Sequence, residues 1–282
     1  MIRKPHDLSE RYGKNTWALV TGATGGIGFE YCKQLMEKGF NVIISGRNEQ
    51  KLIEMQNELK EMYKSVETKI LVADFSESLE EDFYMKLKDQ LEGCDISVLV
   101  NNAGVADFGF FEKMPPKKLQ DMIHTNVGSY TMMTKILIAD MMKRNDKSAI
   151  INVSSIVSLS PVSYTGCYPA TKVYIRFLSY ILHEIYSAKI DVQNLVPGYV
   201  TTKMVGFKKG PDACTPKQCV KSSLKCLGYE RELSPYIAHS ISAFFVTMLW
   251  RFFPSVWEAM VSNGSFRQLA LESFKKKYDH YL

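Results

Sequence analysis

The stretch WALVTGATGGIG, residues 17–28, is a short apolar run that breaks into a glycine-rich turn and then opens a longer amphipathic segment. Its order is strand, turn, helix. Glycine at 22, 26 and 28 lets the backbone turn sharply and approach a pyrophosphate. The helix start that follows, at Ile27, presents free N–H groups and the positive end of its dipole. Thr24 sits inside the turn. A glycine-rich turn by itself is a weak signal, because ordinary strand-to-helix turns share it; its place between a first strand and a first helix gives it weight.

Working outward, short β-branched runs keep alternating with amphipathic stretches. A helix over about 26–38 is followed by NVIIS, a helix over 49–62 and KILVAD. ISVLV at 96–100 and AIINVSS at 149–155 read as buried central strands. The spacing predicts a helix over 168–188 with Pro169 in its first turn, then the strand IDVQNLV. Thr215 and Pro216 supply a cap and first turn for a helix through Leu227. Such alternation predicts right-handed βαβ units, and hence an α/β fold with a parallel sheet of six or seven strands.

Length and composition agree. At 282 residues, 46% apolar and 23% charged, the chain suits one globular domain rather than a disordered or polytopic membrane protein. The formal charge of +5 is modest and its basic residues are scattered, apart from Lys275, Lys276 and Lys277, so nucleic acid is not expected as a partner. The six cysteines form no CxxC pair and no cysteine/histidine cluster, which predicts free thiols and no metal site. MIRKPHDLSERYGKN lacks an apolar core and carries Asp7 and Glu10, against a secretory signal or a strong transit peptide.

At the end of the second strand the chain reads ISGRN. Gly46 stands where an NAD enzyme places an acid for the ribose 2'-hydroxyl. Arg47 follows, and a guanidinium suits a 2'-phosphate, so NADPH is favoured over NADH. Asp74, ending the third strand, is placed to meet the adenine amino group. Asn102, Ala103 and Gly104 of NNAG are placed to close the cleft beyond the fourth strand. Both could instead be turn formers.

Tyr168 and Lys172, four apart in YPATK, share one face of a helix. An ammonium near the phenol is expected to lower its pKa toward the range of a working proton donor. Ser155, at the end of the fifth strand, is placed to hydrogen-bond a substrate carbonyl.

Taken together, TGATGGIG, NNAG, Asn126 in HTNVGS, Ser155, YPATK and PGYVTT resemble the short-chain dehydrogenase/reductase family over nearly the whole chain. The resemblance implies a Rossmann-type doubly wound sheet and a nicotinamide cofactor. It implies that Tyr168 is the general acid in ketone reduction and that Lys172 binds the nicotinamide ribose. Ser155 orients the carbonyl, Asn126 holds a relay water, Val200 and Thr202 lie against the carboxamide, and Pro197 belongs to the same cofactor-binding segment. Within the family the likeness is greatest to the subgroup that reduces 3-oxoacyl-CoA esters and 17-ketosteroids, through SGRNEQKL, VADF and QNLVPGYVTTKM. Three departures stand out: Gly26 replaces a common aspartate, only about fifteen residues precede the first strand, and the chain ends DHYL rather than in a lysine retrieval signal.

The expected organisation is an N-terminal extension (1–14), the Rossmann domain (15–235) and an apolar, aromatic-rich helical extension (236–282). ISAFFVTMLWRFFPSVWEAMV, residues 241–261, fits a core or dimer helix and fits equally a segment that dips into one bilayer face, so membrane or membrane-complex contact through 236–261 and a homodimer are both expected. An intracellular, membrane-associated location follows, the endoplasmic reticulum by resemblance with the mitochondrion as alternative. The rival to an enzyme acting on an acyl-CoA or steroid is a noncatalytic nucleotide-binding subunit of a membrane assembly.

Overall fold

The computed structural model describes residues 4–77, 79–107, 109–207, 210–263 and 272; Lys275, Lys276, Lys277 and the DHYL terminus lie outside them. The glycine-rich stretch becomes β1 (Trp17–Thr21) running into α2 (Gly26–Glu37), preceded by a one-turn helix α1 (Leu8–Tyr12). Then come β2 (Asn41–Gly46), α3 (Glu49–Met62), β3 (Thr68–Val72), α4 (Glu81–Gln90), β4 (Ile96–Asn101), α5 (Pro116–Ile123) and α6 (Ser129–Lys143). β5 (Ser148–Val153), α7 (Tyr168–Tyr186) and β6 (Ile190–Leu195) follow, then the two-residue strands β7 (Tyr199–Val200) and β8 (Ala213–Cys214). The described residues continue through α8 (Pro216–Cys226), β9 (Glu232–Leu233), α9 (Ile237–Phe252) and α10 (Pro254–Asn263).

The main sheet has 7 strands in the order β3-β2-β1-β4-β5-β6-β9 and every pairing is parallel. Successive side chains of a strand point to opposite faces, and both faces here are covered. Ala18 and Val20 join a core with α2, α3 and α8, whereas Trp17 and Leu19 join one with α4, α6 and α7. This explains why β1 and β4 and the centre of β5 are apolar without alternation. The order reverses between β1 and β4, and ligands of such sheets bind in the crevice beyond the carboxyl ends at that point.

Residues 4–14 are tied to the domain: Leu8 and Tyr12 are buried, and Asp191 accepts hydrogen bonds from Tyr12 Oη (2.8 Å), Arg11 Nε (2.6 Å) and Lys147 Nζ (3.1 Å). At the other end Pro254, which cannot continue a helix, splits the aromatic stretch into α9 and α10. α9 is not a core helix, since only His239 on it is fully buried. Among the described residues no helix is long and apolar enough to cross a membrane.

Candidate active site

The turn after β1 is held from β4 and β2. Thr21 Oγ1 accepts the N–H groups of Asn102 (2.9 Å) and Ala103 (3.0 Å), and Asn102 Nδ2 donates back to the carbonyls of Thr21 (3.0 Å) and Gly22 (3.1 Å). NNAG therefore locks the glycine turn to the neighbouring strand. The packing leaves no room for a side chain at Gly28, where a Cβ would stand 2.4 Å from the Gly22 carbonyl oxygen. Ala23 N–H bonds to the Ser45 carbonyl (2.9 Å), which draws the turn over β2 and brings Thr24 against Gly46. Ile27 is half-buried in the first turn of α2.

Arg47 is exposed where the chain leaves β2, and its charge is felt by Asp74 after β3. Asp74 Oδ1 accepts from Ser76 N–H (3.0 Å) and Ser76 Oγ (2.7 Å). Burial opposes ionisation, but these bonds and the charges of Arg47 and Lys117 hold its carboxyl below the usual range.

The four proposed catalytic residues converge at the carboxyl ends of β4 and β5. Tyr168 and Lys172 start α7, with Pro169 in the first turn. Lys172 Nζ donates to the Val153 carbonyl (2.9 Å) and lies 5.7 Å from the centre of the Tyr168 ring. Ser155 follows β5, and its hydroxyl lies near enough to the Tyr168 phenol to favour the ionised form. Asn126 occupies a π turn (His124–Gly128) between α5 and α6, a local widening common at functional sites. Its Oδ1 accepts the Val105 N–H (2.8 Å), and its Nδ2 donates to the Val105 carbonyl (2.9 Å) and Thr171 Oγ1 (3.0 Å). Both amide hydrogens are engaged, so the side chain clamps the segment after NNAG to α7. Gly104 lies between Asn126 and Lys172.

One expectation is corrected. Lys172 does not lower the Tyr168 pKa: burial pushes the phenol up to about 12, partly offset by the Ser155 hydroxyl. The same burial pulls Lys172 down to about 7. Desolvation disfavours whichever form is charged, and it is the leading cause at both residues. Tyr168 stays a protonated donor, and Lys172 gains or loses its proton near neutrality.

Pro197 receives the Ile156 N–H on its carbonyl (2.9 Å), Val200 pairs with Cys214, and the Thr202 methyl lies over Gly26. The segment after β6 thus closes over the glycine turn. Three residues escaped the sequence reading. Tyr130, fully buried on α6, donates to the Val153 carbonyl (2.9 Å) and lies 3.5 Å from Lys172 Nζ. His239 and Trp257, on α9 and α10, reach loops at the cleft (below). None has local spacing that ties it to YPATK.

The family model for short chain dehydrogenases matches residues 16–211. A very-long-chain 3-oxoacyl-CoA reductase of Bos taurus is 36% identical over 267 residues, 92% of this chain and 83% of that protein. A protein of Homo sapiens named inactive hydroxysteroid dehydrogenase-like protein 1 is 34% identical over 275 residues, 94% and 81% of the two chains. A solved 7beta-hydroxysteroid dehydrogenase superposes with a TM-score of 0.74 at 28% identity, covering 95% of this chain and 99% of that one. With the glycine turn, the NNAG lock and the Tyr168 cluster in one crevice, the chain belongs to the short-chain dehydrogenase family, oxidoreductases built around a nicotinamide nucleotide.

Proposed function

We propose that this chain is an NADPH-dependent reductase of a hydrophobic ketone, a 3-oxoacyl-CoA ester or a 17-ketosteroid. The observation that carries the reading is the convergence of Ser155, Tyr168 and Lys172 at the crevice, with Lys172 Nζ 5.7 Å from the centre of the Tyr168 ring. Bound NADPH would supply hydride to the carbonyl carbon. Tyr168, kept protonated by its burial, donates the proton to the carbonyl oxygen while Ser155 donates a second hydrogen bond to it. Lys172, poised near 7, holds the nicotinamide ribose and returns a proton toward Tyr168. The relay water expected at Asn126 has to bond to groups other than the amide hydrogens, which are already donated to Val105 and Thr171.

The cofactor lies, on this reading, over Gly22, Thr24, Gly26, Ile27 and Gly28. Asp74 takes the adenine, and Asn102, Ala103 and Gly104 line the cleft. Val200 and Thr202 face the carboxamide, with Pro197 in the same segment. Arg47, exposed where the 2'-phosphate of NADPH would lie, supports NADPH over NADH.

A groove of ≈ 470 Å³ lined by Leu159, Val196, Phe244, Met248 and Phe252, with the Arg176–Glu232 ion pair on its wall, supports a substrate with a long apolar part, since Leu159 follows closely on Ser155. The exposed face of α9 and α10 supports a membrane-side location, the endoplasmic reticulum by resemblance, with 15–235 as the catalytic domain and 236–282 as its extension. Tyr174, Phe177, Ile181 and Ile185 form an exposed stripe on α7 that supports a homodimer.

A noncatalytic nucleotide-binding subunit of a membrane assembly is the second reading, kept because one relative of similar identity is named inactive. NADPH and NADH oxidation with 3-oxoacyl-CoA esters of increasing length and with a 17-ketosteroid separates the two. Turnover with NADPH that rises with acyl length is expected. Tight NADPH binding with no turnover on any ketone would establish the subunit instead.

A further inference from the structure

Two loops frame the crevice, and both are held from outside by the same hairpin. The first leads from β6 through Pro197, Tyr199, Val200 and Thr202; among the described residues its ladder is the two-residue pairing of β7 with β8. His239 on α9 is 2% exposed and donates from Nε2 to the Tyr199 carbonyl at 3.1 Å. The ring rests on the backbone itself, since a Cβ at Gly198 would stand 2.7 Å from His239 Cδ2. The second loop links Ser155 to Tyr168. Trp257 on α10, 9% exposed, donates from Nε1 to the Pro161 carbonyl at 3.0 Å. Val261, one turn further, is buried as well.

We propose that α9 and α10 form a positioning element of the active site, in which His239 fixes the cofactor loop through Tyr199 and Trp257 fixes the Ser155–Tyr168 loop through Pro161. The inference rests on the reductase reading. Loops with few packed contacts open locally at small cost, and an external hydrogen bond selects the conformation that presents their functional groups. A mere cover would stabilise both loops together. Two separate pins divide the work: His239 acts on the cofactor side and Trp257 on the ketone side.

The test uses the full chain, with NADPH binding followed by fluorescence and steady-state kinetics on a 3-oxoacyl-CoA ester at saturating NADPH. His239→Ala is expected to raise the NADPH Kd about fivefold or more, the worth of one hydrogen bond, with the ketone KM held within about twofold. His239→Gln, which keeps an amide donor, is expected to recover most of that loss. Trp257→Phe keeps the packing and removes the donor; it is expected to change the ketone KM or kcat about fivefold while the NADPH Kd stays put. Ile241→Ser, on the outer face of α9, should move neither constant. The proposal is overturned if both pin variants lower Tm but leave Kd and KM at wild-type values, or if each shifts both constants in parallel. Should His239→Ala not fold, His239→Gln and Trp257→Phe decide the matter. If the wild type turns over no ketone, the reductase reading falls, and the NADPH binding of His239→Ala still tests the cofactor pin.

Discussion

The nucleotide half and the C-terminal hairpin use apolar side chains in opposite senses. In β1 and β4, Val20, Val98 and Val100 are fully buried between helices on both faces, and polar groups such as Thr21 and Asn102 gather at the crevice. In α9 the burial is inverted. His239 is inside, whereas Ile237 is 77% exposed, Ile241 53% and Phe245 50%. The first region is explained by its own packing. The second is explained only if something outside the described residues meets its surface, because contiguous exposed apolar patches mark interaction sites. The molecule thus joins a self-sufficient cofactor fold to an element whose inner residues serve the active site and whose outer residues face elsewhere.

That contrast is broken most severely at Gly28. Gly28→Ala forces a methyl group against the Gly22 carbonyl, and overpacking of this kind costs up to about 3 kcal/mol; urea denaturation should show the loss, and an NADPH titration should show affinity falling with it. Next in size is Arg47→Leu. Removing a charged partner of the 2'-phosphate costs about 1.5–3 kcal/mol, so NADPH should bind roughly ten- to hundredfold more weakly with NADH nearly unaffected. Equal loss for both nucleotides would remove Arg47 from the 2'-phosphate.

Lys172 gives a pH signature. Its folded pKa of about 7 lies below the ordinary 10.5. Between those values the unfolded chain binds a proton that the folded protein does not, so raising the pH through this window stabilises the fold. Relative to Lys172→Met, the wild type should gain up to about 1.4 kcal/mol per pH unit from about pH 7 to 10, read by denaturation at each pH. A difference that is flat or falls with pH would contradict the burial argument. The smallest effect on stability is expected on the hairpin: Ile241→Ser with Phe245→Ser should change it by about 0.5 kcal/mol or less. The same pair should sharply reduce co-sedimentation with phosphatidylcholine vesicles, and undiminished co-sedimentation would point the face toward a protein.

Much of this was legible in the chain itself because it is local. WALV followed by TGATGGIG set the first strand, turn and helix, and the four-residue spacing of Tyr168 and Lys172 put both at the start of α7 as expected. β7, β8 and β9 have two residues each, too short for any periodicity. Tyr130, His239 and Trp257 act on residues far along the chain, so no spacing announces them. The direction of the Tyr168 shift was also hidden, since the neighbouring lysine is visible in YPATK while the burial that sets it exists only in the folded protein.

The most direct test of the account is NADPH oxidation by the wild type and by Tyr168→Phe with a long-chain 3-oxoacyl-CoA ester, alongside the NADPH Kd of each. Loss of a general acid should lower kcat roughly 10²–10⁴-fold while the Kd stays within about twofold. Turnover that survives in Tyr168→Phe, or a wild type that binds NADPH and reduces no ketone, would contradict it.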